Sequence, residues 1–205
     1  MSILKSSAIY SFFTLISRIF GFIRDVIFAN FLGTGILADV FYVAFRFPNT
    51  FRRIFSEGAL NSSFVPIYSK FLGQPSSNAN IFAGNISLLL FFITSIIVIV
   101  VEIFMPTFVS MLAPGFIENS KKFNLLVNSS RIIFPFLTLI TLCSIYSSIL
   151  NAHEKFALSA ALPIILNIVL ALAVISAFYF DENILTVLSI SVIVAGILQL
   201  VFLTY

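Results

Sequence analysis

Residues 156–180 read FALSAALPIILNIVLALAVISAFYF, a stretch without a charged side chain. A helix needs about 20 apolar residues to cross the hydrocarbon core of a bilayer, so this stretch is long enough to span a membrane. Further charge-free intervals cover residues 71–101, 132–152 and 183–205. These intervals alone predict four membrane-spanning helices.

The composition of the whole chain also indicates a membrane protein. Of the 205 residues, 60% are hydrophobic and 9% are charged, whereas a typical soluble domain contains about 25% charged residues. The net charge of +3 is small and dispersed, which argues against a nucleic-acid partner. Cys143 is the only cysteine and His153 the only histidine, so the sequence predicts neither a disulfide framework nor a metal site.

The first 70 residues are harder to assign because they combine many Phe, Ile, Leu and Val residues with several arginines. We predict two further spans there. The predicted fold class is therefore an all-α transmembrane bundle of about six helices in one domain over residues 1–205, with spans at 8–31, 38–68, 81–105, 131–152, 156–180 and 184–205. The chain ends within an apolar run, which leads us to expect half of a larger protein or a truncated gene product.

The charges in the short connections predict an N-terminus on the inner side of the membrane. With that orientation, the inner connections contain Lys5, Lys70 and Lys155, and the outer ones contain Asp39, Asp181 and Glu182. This distribution follows the positive-inside rule. The third connection, predicted at residues 114–128 with Glu118, Lys121 and Lys122, is the exception.

Charged residues interrupt the otherwise apolar first two spans, namely Arg18, Arg24, Asp25, Arg46, Arg52, Arg53 and Glu57. Each such charge costs about 2.5–3.5 kcal/mol on insertion scales, so these groups normally face a protein interior or a water-filled cavity. The excess of arginine over acid predicts an anionic ligand, because guanidinium groups match phosphate or carboxylate with paired donors.

Helical spacing places some of these residues together. In the first span, Ser17, Gly21 and Arg24 share one stripe, and Arg18, Gly21 and Asp25 share another. In the second span, a stripe contains Asp39, Arg46 and Arg53, with Asn49 and Arg52 beside it. Pro48 is expected to bend this second helix and to help open a cavity.

A purely structural role for the same charges remains open. In that interpretation, Arg24 pairs with Asp25 or Asp39, and Arg52 or Arg53 pairs with Glu57. The remaining arginines would extend to the membrane interface.

Several segments carry a family resemblance. They are SRIFGFIRD at 17–25, ADVFYVAFRFPN at 38–49, RRIFSEGA at 52–59, FVP at 64–66, APGF at 113–116, Arg131 with FPF at 134–136, and LNA at 150–152 followed by Phe156, Pro163 and Asn167. In these segments the chain resembles the MurJ (MviN) lipid II flippases of bacteria, which belong to the superfamily of multidrug and oligosaccharidyl-lipid/polysaccharide exporters. The resemblance implies fourteen transmembrane helices in two lobes around a cationic cavity, of which this chain would supply the N-terminal lobe.

The resemblance also implies roles for individual residues. Arg18, Arg24 and Arg52 match cavity arginines that bind substrate, and Asp25 follows Arg24 in the same motif. We expect gating or structural roles for Ser17, Asp39, Pro48, Asn49, Arg53 and Glu57. Neither a catalytic residue nor a metal ligand is expected.

The implied function is translocation of the lipid-linked peptidoglycan precursor, lipid II, from the inner to the outer leaflet of the bacterial cytoplasmic membrane. The expected partners are lipid II, membrane lipids and a C-terminal lobe, without nucleic acid. No cofactor is expected, although an ion gradient or the membrane potential is a candidate energy source. The alternatives are an exporter of another anionic lipid or a drug, and a non-transporting lobe that acts as an assembly partner.

Overall fold

A computed structural model describes residues 3–54, 62–73 and 78–204, with side-chain surroundings from Tyr10 onwards and without those of Arg52. The described residues form helices and no strand. The helices are α1 (Ile3–Phe31), α2 (Ile36–Arg53), α3 (Val65–Leu72), α4 (Ala79–Ile103), α5 (Met105–Leu112), α6 (Ser120–Ile133), α7 (Phe136–Ala152), α8 (Phe156–Tyr179) and α9 (Ile184–Thr204). The all-α transmembrane fold class is therefore confirmed.

Four helical segments are long and apolar enough to cross a membrane within the described parts of the chain. They are Ala79–Ile103, Ser120–Ala152, Phe156–Tyr179 and Ile184–Thr204. Each one overlaps a span predicted from a charge-free interval. The predicted span at 8–31 falls on α1, and the ends of the predicted span at 38–68 fall on α2 and α3, with residues 55–61 outside the described part. A membrane crossing by these two segments stays a prediction.

The structure differs from the sequence-based expectation in the third connection. Residues 114–128 were expected to be a polar connection, but α6 already begins at Ser120. The Asn119 side chain accepts a hydrogen bond from the Lys122 backbone N–H at 3.0 Å and so caps the helix. Leu126 and Val127 are buried in this segment. Because this segment contains two lysines and a polar face, its hydropathy alone did not indicate a helix.

Close packing of α1 against α8 forms one wall of the interior. At Gly21 of α1, an added Cβ would lie 3.4 Å from the Asn167 Nδ2 atom of α8, which is the short limit of ordinary van der Waals contact. The core of the bundle consists mainly of aromatic and aliphatic side chains from α1, α2 and α6–α9, including Phe28, Phe41, Ile133, Phe134, Phe136, Leu170, Leu188 and Val192. These contacts hold α1 and α2 at a fixed position relative to α7 and α8.

The outer surface of the bundle is apolar. In α4, only 11% of the most hydrophobic 18-residue window is buried, and Phe92, Ile96 and Ile99 are more than half exposed. An apolar surface of this extent is expected against lipid and not against water. A smaller cluster, with Phe64, Tyr68, Ala79, Ala83 and Ile145, joins α3 to α4 and α7.

Candidate functional site

Two adjoining cavities lie beside the first two helices. The first cavity has a volume of about 490 Å³ and is lined by residues of α1, α2, α7, α8 and α9. The second cavity has a volume of about 560 Å³ and lies between α1 and α2, with Phe116 and Leu170 also in its wall. Arg24, Phe45 and Asn49 line both cavities. Volumes of this size are typical of small-molecule sites.

Arg24 lies where the two cavities meet, and three neighbouring side chains hold its guanidinium group. Its Nε and Nη2 atoms donate to Asp25 Oδ1 at 3.0 Å and 2.7 Å, and its Nη1 atom donates to Asn167 Oδ1 at 2.8 Å. The Phe28 ring centroid lies 5.7 Å from the guanidinium carbon, within the range of a cation–π contact. Because a guanidinium carries five N–H donors, two N–H groups remain for a ligand beside these described contacts.

Asn167 fixes the other end of this network. Its Nδ2 atom donates to the Ser17 backbone carbonyl at 3.2 Å, and its side chain is almost fully buried. The amide therefore joins α8 to two successive turns of α1. The Arg24–Asp25 ion pair is one of the pairs that the structural interpretation of the sequence proposed, and it occurs together with an open cavity.

Most of the other predicted residues of α1 and α2 also lie at the cavities. Ser17 and Gly21 line the first cavity together with Arg24, as their shared helical stripe suggests, and Arg18 from the neighbouring stripe lines it as well. Arg46 lines the second cavity. Within the described residues, the basic side chains in the two walls are therefore Arg18, Arg24 and Arg46.

Asp39 is the acidic side chain in the wall of the second cavity, as far as the structure describes it. It pairs with Lys122 of α6 at 2.7 Å and not with Arg24. The Lys122 Nζ atom also lies 4.2 Å from the Phe116 ring centroid. Because Lys122 neutralises this carboxylate, the cavities keep an excess of positive charge.

The remaining predicted residues do not gather at one point. Pro48 is buried within α2, which continues through it to Arg53, and Arg53 itself is exposed. Arg52 belongs to α2, but its side chain lies outside the described residues. Glu57 also lies outside the described part, and so does its predicted ion pair with Arg52 or Arg53.

An uncharged part of the first cavity was not predicted from the sequence. We call it the polar wall, and it consists of Ser144, Ser147, Ser148, Asn151, Ser159 and Gln199. The first four residues lie at i, i+3, i+4 and i+7 of α7, on one face of the helix. This spacing of polar residues inside a charge-free span was the available signal.

Comparisons with known proteins identify relatives of this chain. The family model described as "MurJ: Lipid II flippase MurJ" matches residues 28–205. A probable lipid II flippase MurJ of Rhizobium tropici is 43% identical over 98% of this chain and 38% of its own length. The corresponding protein of Rickettsia prowazekii is 40% identical over 99% of this chain and 40% of its own length.

The fold is shared with a solved structure as well. The structure titled "Lipid II flippase MurJ, inward closed conformation" matches with a TM-score of 0.80 and 28% identity, over 94% of this chain and 40% of that chain. The chain thus spans about 40% of the length of these relatives and corresponds to their N-terminal lobe. Its apolar helices and these relatives make it a multi-pass protein of the bacterial inner membrane. The chain belongs to the MurJ lipid II flippase family.

Proposed function

We propose that this chain acts as the N-terminal lobe of a flippase that moves lipid II from the inner to the outer leaflet of the cytoplasmic membrane for cell-wall synthesis. The observation that carries the proposal is the position of Arg24 between two cavities, with N–H donors left for an anion. A pyrophosphate bears several negative charges and accepts hydrogen bonds, so it complements such a group. The relatives named lipid II flippase MurJ support the same substrate.

Different side chains at the cavities have different roles in binding. Arg24 and Arg18 hold the pyrophosphate, and Asp25 orients Arg24 through their ion pair. Arg52 completes the phosphate site, and Ser17, Asp39, Pro48, Asn49, Arg53 and Glu57 serve the structure of the gate. A C-terminal lobe supplies the opposite wall, because alternating access requires two bodies that rock against each other.

We assign transport without covalent chemistry, so every bond of the lipid stays intact and no enzymatic step is involved. No cofactor takes part in this scheme. An ion gradient or the membrane potential supplies the energy, since moving one elementary charge through 100 mV corresponds to about 2.3 kcal/mol.

The test is native mass spectrometry of the purified chain with lipid II, for the unmodified protein and for Arg24→Glu. We expect lipid II to be retained by the unmodified chain and lost from the variant, because a carboxylate repels pyrophosphate. Lys121→Glu is the matched control, since it makes the same charge change at an exposed residue outside both cavity walls.

Other outcomes separate the alternatives. Equal retention by Arg24→Glu and the unmodified chain would contradict the assigned role of Arg24. Retention of phosphatidylglycerol to the same extent as lipid II would favour an exporter of other anionic lipids. Absence of binding to every lipid tested would favour a lobe that acts only as an assembly partner.

A further inference from the structure

The polar wall differs in chemistry from the arginine side of the first cavity. Its residues are uncharged, and several hydroxyl donors are already used within the protein. Ser144 Oγ donates to the Ile140 carbonyl at 2.8 Å, and Ser159 Oγ donates to Asn151 Oδ1 at 2.6 Å. The oxygen lone pairs of such hydroxyl groups remain able to accept hydrogen bonds.

Two buried oxygen atoms of the polar wall have no hydrogen-bond partner within the described residues. They are Ser147 Oγ and Gln199 Oε1. The two residues are only 5% and 2% exposed, and both line the first cavity. The Gln199 amide is fixed from its other side, because Nε2 donates to the Leu162 carbonyl at 2.7 Å. Buried polar atoms without a partner are uncommon in proteins and call for a physical explanation.

The hydrogen-bond capacity of the polar wall selects between ligand groups. Oxygen lone pairs there outnumber the unused O–H and N–H groups, so the wall suits a ligand that donates hydrogen bonds better than a pyrophosphate, which only accepts them. A sugar is well matched, because each hydroxyl group and each acetamido N–H donates a hydrogen bond. The arginine side, where Arg18 and Arg24 lie, shows the opposite preference.

We infer that the polar wall is a separate subsite, which binds the uncharged sugar next to the pyrophosphate of the transported lipid. This inference rests on the proposed function and extends it, because it assigns the two chemical parts of one head group to two sides of one cavity. The arginines bind any polyprenyl pyrophosphate, and the polar wall favours the lipid that also carries the sugar. Selectivity for a glycosylated lipid thus arises in this lobe.

The test compares two lipids that share a tail and a pyrophosphate and differ in the sugar. The dissociation constants of lipid II and of undecaprenyl pyrophosphate are measured in detergent for the unmodified chain, for the double variant Ser147→Ala/Gln199→Met, and for Arg24→Glu. We expect the double variant to bind lipid II roughly tenfold more weakly, with unchanged binding of undecaprenyl pyrophosphate. Arg24→Glu is expected to weaken binding of both lipids.

A stability measurement excludes a merely structural role. Removing a buried oxygen that lacks a partner is expected to leave the melting temperature of the Ser147→Ala chain unchanged or raised, whereas a structural role predicts a lower value. The control is Ser191→Ala, because this buried α9 serine donates to the Leu188 carbonyl and lies outside the wall of the first cavity. Ser191→Ala is expected to change the dissociation constant neither for lipid II nor for undecaprenyl pyrophosphate.

The outcomes distinguish the two proposals. If the double variant binds both lipids more weakly by the same factor, or binds both as tightly as the unmodified chain does, the polar wall is not a sugar subsite and the proposed function stands. If the unmodified chain binds neither lipid, or if Arg24→Glu loses no affinity, the proposed function is overturned and the subsite with it.

Discussion

Arg24 contacts three side chains of different chemistry, and each restricts its guanidinium group in a different way. Asp25 supplies charge, Asn167 supplies a neutral acceptor, and Phe28 supplies an aromatic face. The Arg24 side chain keeps 20% of its surface exposed, so the group is held in place but remains accessible to a ligand. Such a partly occupied arginine is organised for binding before the anion arrives.

Asn167→Leu tests this organisation. The substitution removes the acceptor of Arg24 Nη1 and the donor to the Ser17 carbonyl, so the guanidinium group gains freedom. We expect about tenfold weaker binding of undecaprenyl pyrophosphate, as for the loss of one hydrogen bond to a charged group. The measurement is a lipid titration followed by native mass spectrometry.

Asn128→Leu serves as the control for this substitution, since Asn128 is an exposed residue of α6 and lies outside both cavity walls. The dissociation constant of the Asn128→Leu chain for undecaprenyl pyrophosphate should equal that of the unmodified chain. Unchanged binding by Asn167→Leu would show that Asp25 and Phe28 are sufficient to position Arg24.

The packing of α9 against α7 depends on a glycine. A Cβ added at Gly196 would lie 2.8 Å from Phe136 Cδ2 and 3.1 Å from Leu139 Cδ1. Phe136 is fully buried, so it has little room to move. We expect Gly196→Ala to destabilise the folded chain by about 1–3 kcal/mol, as for other overpacked cores. Unfolding of the chain in mixed micelles measures this free energy.

Gly84→Ala is the matched comparison on another apolar helix. A Cβ at Gly84 of α4 would have no heavy atom within 4 Å among the described residues. The change in stability is therefore expected to come only from the higher helix propensity of alanine. We expect a stabilisation of about 0.5–1 kcal/mol. A similar destabilisation by both substitutions would disprove the steric explanation for Gly196.

At the predicted outer end of the bundle, Lys122 joins α6 to α2 through Asp39. The Asp39 side chain is 55% exposed, so its ion pair is expected to contribute only about 0.2–1 kcal/mol. A double-mutant cycle with Asp39→Asn and Lys122→Met measures this coupling free energy. The coupling should fall as the salt concentration rises, and a coupling that is independent of salt would contradict a simple ion pair.

On the scale of the whole molecule, this ion pair also bears on the membrane topology. Lys122 was the exception to the positive-inside rule, and the structure provides it with a carboxylate partner from another predicted outer segment. At the opposite end, Tyr68 Oη and His153 Nε2 lie 3.3 Å apart and connect α3 to the end of α7. These contacts place each pair of segments at one end of the bundle, which agrees with the predicted alternation.

Cysteine labelling in intact cells tests that topology. Cys143 is buried, and Cys143→Ala gives a background for single cysteines. We expect Glu182→Cys to react with an impermeant maleimide from outside, and Lys155→Cys to react only after the membrane is opened. Glu182 is preferred to Asp181, whose φ of 53° lies in the left-handed region. Labelling of Lys155→Cys from outside would show that the topology is the inverse of the predicted one.

The sequence determined the apolar framework of this protein. The approximate positions of α4, α7, α8 and α9 follow from charge-free intervals, because the membrane requirement is local and depends on about 20 consecutive residues. The position of Ser17, Gly21 and Arg24 on one helical face follows from spacing within a single helix. The family also followed from local motifs.

Tertiary structure alone decided which distant helices supply partners to the charged and polar groups. Asn167 lies 143 residues from Arg24, and Lys122 lies 83 residues from Asp39. Spacing within one helix carries no information on such pairs, because they depend on which faces of distant helices pack together. The polar wall arises in the same way, since α7, α8 and α9 must assemble before their serine and amide side chains share one cavity with the arginines of α1.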